Sequence, residues 1–150
     1  MLKRNIVLIL SASVIVLFII IVGVLEVTFI GKGYDEIFKA NWDISLPSGY
    51  EQVYEKDSGS SFLGDGERFH IFRYKYAEKV KQCIDWYKGT SIVLEAEVAE
   101  VLNSLDIPEA VIPDFNVEYK YYIKRNSDSS KLYLILNEEM KKLYIIENIF

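Results

Sequence analysis

The sequence predicts an α+β protein, in which an N-terminal transmembrane helix precedes one small domain of two helices on a mainly antiparallel sheet. Three observations predict this fold class. Residues 6–25 form an uncharged apolar run, residues 76–105 carry two apolar stripes at helical spacing, and segments typical of strands lie on both sides of that region. A helix with a single apolar stripe buries it against one partner, most simply a sheet. The expected element order of the domain is β-β-α-α-β-β-β.

We refer to residues 6–25, IVLILSASVIVLFIIIVGVL, as the anchor segment. About 20 apolar residues at ~1.5 Å rise span the ~30 Å hydrocarbon core of a bilayer as a helix. Lys3 and Arg4 precede the segment, so the positive-inside rule predicts a cytoplasmic N-terminus and an extracytoplasmic C-terminal domain. No small-residue cleavage pattern follows the segment, which favours an uncleaved anchor over the two alternatives, a cleaved signal peptide and a buried helix.

Three regions follow from this placement, in a protein expected to cross the cell membrane once. Residues 1–30 are the cytoplasmic tip and transmembrane anchor, residues 31–48 a juxtamembrane linker, and residues 49–150 the extracytoplasmic α+β domain. The net charge of −5 argues against a nucleic-acid partner, because phosphate binding needs clustered lysine and arginine side chains. The single cysteine and single histidine exclude a disulfide within the chain and a structural zinc site, so we expect neither a metal nor a cofactor.

Periodicity and turn residues place the elements after the anchor segment. A helical turn or two is expected at 34–41, and strands are expected at 50–56, 67–75, 117–124, 132–136 and 143–146. The first helical stripe consists of Tyr76, Val80, Cys83, Ile84 and Tyr87, with Gly89 closing the helix. The second consists of Leu94, Val98, Val101, Leu102 and Leu105, between Ser91 as N-cap and Pro108 as terminator. Because Cys83 stands on an apolar stripe, we expect its thiol to be buried and inert.

The two C-terminal strands, 132–136 and 143–146, are apolar on both faces. Such strands are buried on both sides of a sheet, so either a second layer of the chain or a partner protein covers the face away from the helices. Tyr133 and Tyr144 are candidate partner-binding residues on these strands, and packing within the sheet is the alternative.

His70, the one histidine of the chain, lies on the expected strand 67–75. With Asp65 or Glu67 as its acidic partner it would form the acid–base pair of a hydrolase, and a structural histidine is the alternative. Asp65 belongs to the loop DSGSSFLGDGE, whose spacing does not match a calcium-binding loop and which fits either a turn or a recognition loop. Asp65 and His70 are therefore candidate ligand- or partner-binding residues, and no catalytic residue is assigned.

The segment YEKDSGSSFLGDGERFHIFRYK and the C-terminal LYIIENIF resemble uncharacterised small membrane-anchored or exported proteins of low-GC Gram-positive bacteria. The resemblance covers most of residues 50–150. It implies a location in the bacterial envelope, and it brings no activity and no site residues with it.

These observations predict a single-pass, membrane-anchored envelope protein whose exported domain is a non-enzymatic binding module. Its expected partners are the membrane and another envelope protein. The alternative function is an envelope hydrolase that uses His70 with Asp65 or Glu67.

Overall fold

The structure, a computed structural model, describes residues 32–59 and 65–150, and the anchor segment at 6–25 lies outside these ranges. Among the helices of the described ranges, none is both long enough and apolar enough to cross a bilayer. Its contacts divide the chain into two compact units, Met1–Asp43 and Ile44–Phe150.

The described part of the first unit is the helix α1, Lys32–Trp42, at the place where the sequence predicts a helical turn or two. Phe38 and Trp42 lie one turn apart on this helix, and both side chains are buried. The helix ends at Asp43, which has a φ of +52° and donates its backbone N–H to the carbonyl of Lys39 at 2.8 Å. Aspartate tolerates this left-handed conformation better than most residues, and the bond satisfies one of the terminal carbonyls.

The second unit is built on a six-stranded antiparallel sheet with the strand order β1-β2-β6-β5-β4-β3. It confirms the predicted α+β class and the antiparallel sheet. The strands are β1 (Tyr50–Asp57), β2 (Gly66–Tyr74), β3 (Tyr87–Lys88), β4 (Lys120–Arg125), β5 (Lys131–Asn137) and β6 (Lys142–Ile149). The helices are α2 (Glu78–Gln82) and α3 (Ile92–Ser104), and a 3-10 turn follows at Glu109–Val111.

The helix α3 covers one face of the sheet with the stripe that the sequence predicts. Its side chains form one core with sheet residues that include Phe69, Tyr133 and Tyr144. Each buried leucine or valine in such a core contributes ~1.5–3 kcal/mol to folding. Ser91 caps the helix, since its Oγ accepts a hydrogen bond from the N–H of Leu94 at 3.3 Å. The predicted helix and its N-cap at Ser91 are therefore confirmed, and the helix ends at Ser104, four residues before the predicted terminator Pro108.

The opposite face of the sheet is also buried, as the apolar pattern of the last two strands predicts. Cross-strand register places Leu136, Leu143 and Phe72 side by side on this face. The apolar residues there are fully buried: Phe72, Leu132, Leu134, Leu136, Leu143 and Ile145. Both faces of the central strands are thus withdrawn from water.

The first predicted helix, over residues 76–87, is wrong in extent. The helix α2 has only five residues, and of the predicted stripe only Val80 is buried, whereas Cys83 is exposed. The carbonyl of Val80 accepts the N–H of Cys83 at 3.4 Å, the Cys83 thiol at 3.1 Å and the indole N–H of Trp86 at 3.2 Å. These bonds occupy the acceptor that a continuing helix needs, so the chain turns away and forms β3 instead.

Two strand boundaries depend on individual residues. Gly66 begins β2 with a φ of +128°, and a Cβ there would clash with the Oγ of Ser58, so this position requires glycine. The strand β4 begins at Lys120, later than the predicted 117, with its first pair to β5 at Leu136. Just before the strand, the Tyr119 hydroxyl donates to the carboxylate of Glu95 on α3 at 2.7 Å.

Candidate interaction surface

The structure places the candidate tyrosines in the core. Tyr133 is 1% exposed and Tyr144 is 4% exposed, and both lie in the core that α3 covers. Burial raises the pKa of both hydroxyls, and for Tyr133 the neighbouring carboxylate of Glu97 raises it further. Their role in this structure is therefore packing within the sheet, the alternative that the sequence left open.

His70 lies on the sheet face opposite α3 and is only 7% exposed. Burial, followed by the positive charge of Arg68, lowers the pKa of its imidazole to about 4, so the ring is neutral at pH 7. Its nearest acidic neighbour in the described ranges is Glu55, with Nδ1 and Oε2 4.0 Å apart. These two residues line a cavity of about 340 Å³ together with Lys56 and Asp57.

Strand geometry separates His70 from both predicted partners. Glu67 is three residues earlier on β2, so its side chain points to the other face, where it accepts a hydrogen bond from Ser104. Asp65 stands directly before β2, and five residues of extended chain separate its Cα from that of His70 by roughly 16 Å. Neither carboxylate shares a site with the imidazole, so the geometry gives no support to the hydrolase alternative.

In contrast to these buried residues, the β3–β4 edge of the sheet is accessible at the surface. The strand β3 pairs with β4 at only two positions, Tyr87 with Tyr121 and Lys88 with Lys120. Residues 122–125 of β4 continue past the end of β3, and within 32–59 and 65–150 no strand pairs with their outer side. Alternate backbone N–H and C=O groups of this stretch point outward, as in any edge strand.

A shallow groove lies beside this open edge. We define the edge groove by its five lining residues, Tyr87, Ser91, Tyr121, Ile123 and Arg125, which surround about 400 Å³. Its lining is part aromatic and aliphatic and part polar. Tyr87 is 59% exposed and stacks on Tyr121 with ring centroids 5.5 Å apart. The apolar surface continues along the chain from Ser91 into the first turn of α3, where Ile92 and Val93 are exposed. Exposed aromatic and aliphatic side chains grouped in this way are typical of a contact surface.

Polar contacts hold α3 beside the edge groove. The hydroxyl of Tyr119 accepts the backbone N–H of Ser91 at 3.1 Å and donates to Glu95 at 2.7 Å. Burial, and then the bond to Glu95, raises the pKa of this hydroxyl, so the donor stays protonated at neutral pH. Because the groove walls are fixed in this way, a ligand would find the groove already formed, which lowers the ordering cost of binding.

Ion pairs fix α3 at its middle turn as well. The carboxylate of Glu97 binds Arg125 at 2.7 Å and Lys131 at 3.0 Å. Partial burial opposes the ionisation of Glu97, but the hydrogen bond from Lys131 and the charge of Arg125 outweigh it and hold the pKa of the carboxyl below its usual range. Arg125, which lines the edge groove, is thereby bound to α3.

The cations of this edge lie close to carboxylates of neighbouring segments. The strands β3 and β4 carry four cations, Lys88, Lys120, Lys124 and Arg125, and no acidic residue. Lys120 is bound to Glu138, which is also bound by Lys81 at 3.0 Å, and Arg125 is bound to Glu97. The charges of Lys120 and Arg125 are therefore balanced within the chain, whereas Lys88 is exposed.

Comparison of the chain with protein-family models, with curated proteins and with solved structures finds no match. The resemblance to Gram-positive envelope proteins thus stays a prediction. The interpretation of the edge groove rests on the geometry of the described residues alone.

Sequence reasoning missed the edge groove because it placed Tyr87 on a helix. The available signal was local: Trp86 and Tyr87 are aromatic residues typical of strands, and Gly89 follows them directly. Pairing of Tyr87 with Tyr121 joins residues that are 34 positions apart, which no local pattern reveals.

Proposed function

We propose that this chain is a single-pass, membrane-anchored binding module of the bacterial envelope, and that its second unit binds a partner protein through the edge groove. The observation that carries the proposal is the exposed Tyr87 stacked on the half-buried Tyr121, beside an outer side of β4 that no strand of the described residues pairs with. Aromatic residues are enriched in protein interfaces and dominate their binding energy.

The membrane part of the proposal is supported by the sequence. The anchor segment carries no charge, and Lys3 and Arg4 stand on its N-terminal side, which favours an extracytoplasmic second unit. The non-enzymatic part is supported by the site geometry, since His70 is buried and its imidazole is separated from the carboxylates of Asp65 and Glu67.

Site-specific photocrosslinking in native membranes tests the partner-binding surface. A photoreactive phenylalanine derivative at Tyr87 in the full-length protein is expected to give one discrete adduct. The same substitution at Tyr76 is the matched control, because Tyr76 is a tyrosine of equal exposure, 61% against 59%, that does not line the edge groove. Absence of an adduct at Tyr87, or equal adducts at both positions, would contradict the proposal.

Thiol labelling in intact cells tests the membrane topology. Cys83 is the only cysteine and is exposed, so a membrane-impermeant maleimide reports on one position. Partial desolvation raises the pKa of this thiol, so labelling is expected to speed up as the pH is raised above 8. The extracytoplasmic placement predicts labelling before lysis, with Cys83→Ser as the blank. Labelling only after lysis would contradict it.

A further inference from the structure

We propose that the β1–β2 edge of the second unit is a pH-sensitive switch, in which neutral His70 holds β1 on β2 and protonation of its imidazole releases β1. His70 is the one histidine of the chain, and it lies on β2 beside the edge strand β1. Release of β1 exposes the outer side of β2, nine residues long, with which another strand can pair. The switch lies at the far edge from β4 and therefore acts independently of the edge groove.

The imidazole occupies an apolar position on the sheet. His70 is only 7% exposed, although it stands on the strand next to the sheet edge. Phe72 lies two residues further on the same face, with ring centroids 6.0 Å apart, and Ile145 of β6 is the cross-strand neighbour of His70. Both apolar residues are fully buried. Such surroundings accept a neutral imidazole and penalise an imidazolium.

Charged groups stand near the ring on three strands of the described ranges. On β1, Glu55 is directly opposite His70, and Asp57 is two residues further on the same face. On β2, Arg68 precedes His70 by two residues, and on β6 the fully buried Glu147 is opposite Arg68. Burial and then the charge of Arg68 lower the pKa of the imidazole to about 4, although the charge of Asp57 raises it. The ring therefore stays neutral in the closed sheet down to about pH 5.

The bulge in β1 places a carboxylate at the outer side of the ring. Because of the register shift, Gln52 and Glu55 share the face of His70 although they are three residues apart. The amide of Gln52 donates to Oε2 of Glu55, the oxygen that lies 4.0 Å from Nδ1 of His70. The Glu55 side chain is 65% exposed. The carboxylate that would pair with a protonated ring thus lies towards water, and the ring reaches it by moving outwards.

The strand β1 is suited to local opening. None of its eight residues is buried, and among the described strands it pairs with β2 alone. A cavity of about 340 Å³, lined by His70, Glu55, Lys56 and Asp57, leaves room beside the ring on the side of β1. Edge segments with few buried contacts open without unfolding of the whole domain. Protonation of His70 is therefore expected to release β1 while the central strands stay paired.

Hydrogen exchange of the full-length protein in a non-ionic detergent, at pH 7.5 and pH 5.5, tests the switch. In the open state the imidazole regains its ordinary pKa of 6.5, so its stabilisation of the closed edge is complete above pH 6.5 and is lost as the pH falls towards 4. Protection factors of the β1 amides are expected to fall about tenfold between the two pH values and to stay below those of β5. Unchanged protection of β1, or protection equal to that of β5 at pH 5.5, overturns the proposal.

Two variants assign the effect to the imidazole. His70→Gln keeps a side chain of similar size without a group that titrates in this range, so its β1 protection factors are expected to agree within about twofold at the two pH values. His70→Phe is the second variant, with an apolar ring in the same place. A tenfold fall that persists in either variant would show that another group is responsible, and the switch would be refuted.

Nuclear magnetic resonance of the wild type measures the protonation of the ring without any substitution. Because the chain has one histidine, one imidazole Cε1–H signal reports on it. Its titration midpoint in the folded protein is expected near pH 4. A midpoint near the ordinary value of 6.5 would contradict the switch. Crosslinking at Tyr87 does not involve β1, so the proposed function is tested separately.

Discussion

The two edges of the six-stranded sheet are built differently. The β1 edge is eight residues long, and its exposed residues include Glu51, Glu55, Lys56 and Asp57, charges of both signs. A register shift between Gln52 and Tyr54 adds a bulge to the same strand. Mixed charges and a bulge are the features by which natural sheets prevent further strand pairing.

The β4 edge has a very short covering strand and a groove beside it. Its outer side is covered by β3 at two positions only, and Tyr87 exposes a stacked aromatic surface next to the remainder. Among the described residues, no strand pairs with the outer side of 122–125. The comparison teaches that one edge has features that prevent strand pairing, whereas the other leaves a short stretch open beside an aromatic surface.

The largest effect is expected from a change to α3, the helix whose N-cap residue, Ser91, lines the edge groove. Leu94 is fully buried in the first turn of α3, so Leu94→Ala is expected to lower the free energy of unfolding by about 2–5 kcal/mol and to loosen the groove. Urea unfolding of the full-length protein in detergent measures this free energy. Ile92→Ala, two residues earlier and 82% exposed, is expected to change stability by less than about 0.5 kcal/mol. Equal losses for both variants would show that α3 is not packed as described.

A smaller effect on the free energy of unfolding is expected from the ion pairs that join β4 to α3. Glu97→Gln removes the carboxylate that binds Arg125 and Lys131, and is expected to cost about 1 kcal/mol at pH 7. Because folding lowers the pKa of Glu97, its stabilisation is complete above the ordinary value of 4.5 and is lost as the pH falls through the lower folded value. The difference between wild type and variant is therefore expected to shrink from pH 7 to pH 3.

Glu100→Gln is the control for that pH series, since Glu100 is exposed on the same helix, one turn later. Its unfolding free energy is expected to follow the wild type within about 0.5 kcal/mol at both pH values. A Glu97→Gln difference that stays constant with pH would refute the assigned ion pairs.

The smallest expected effect is on self-association through β1. Replacing the exposed Glu51 and Lys56 by valine removes a charge of each sign from this edge and leaves the net charge unchanged. We expect weak dimers and larger species in sedimentation velocity experiments, because a flat apolar edge pairs with other strands. Charge-neutral replacement by glutamine is the control. If the valine variant sediments like the wild type, the bulge alone closes this edge.

Much of the fold follows from local pattern. The stripe from Leu94 to Leu105 predicts α3 with its cap at Ser91, and the apolar run from Leu132 to Leu136 predicts a strand buried on both faces. These two predictions are confirmed because a long helix or strand needs one or both of its faces to be apolar in order to pack.

The rest of the fold depends on local hydrogen-bond competition and on contacts that are distant in sequence. The helix predicted over 76–87 fails because the carbonyl of Val80 is taken by Cys83 and Trp86, a local competition that hydrophobic spacing does not register. The open edge could not be predicted from local sequence for another reason. It exists only because β4 lies between β5 and the two-residue β3 in the strand order. Tyr133 and Tyr144 were ambiguous from sequence, since buried and exposed tyrosines look alike in a strand.

Hydrogen exchange of the full-length protein tests the central claim, an open edge at β4, most directly. Outward-facing amides at 122–125 are expected to exchange faster than the amides of β5, which is paired on both sides. Equal protection of 122–125 and of β5 would contradict an open edge at β4.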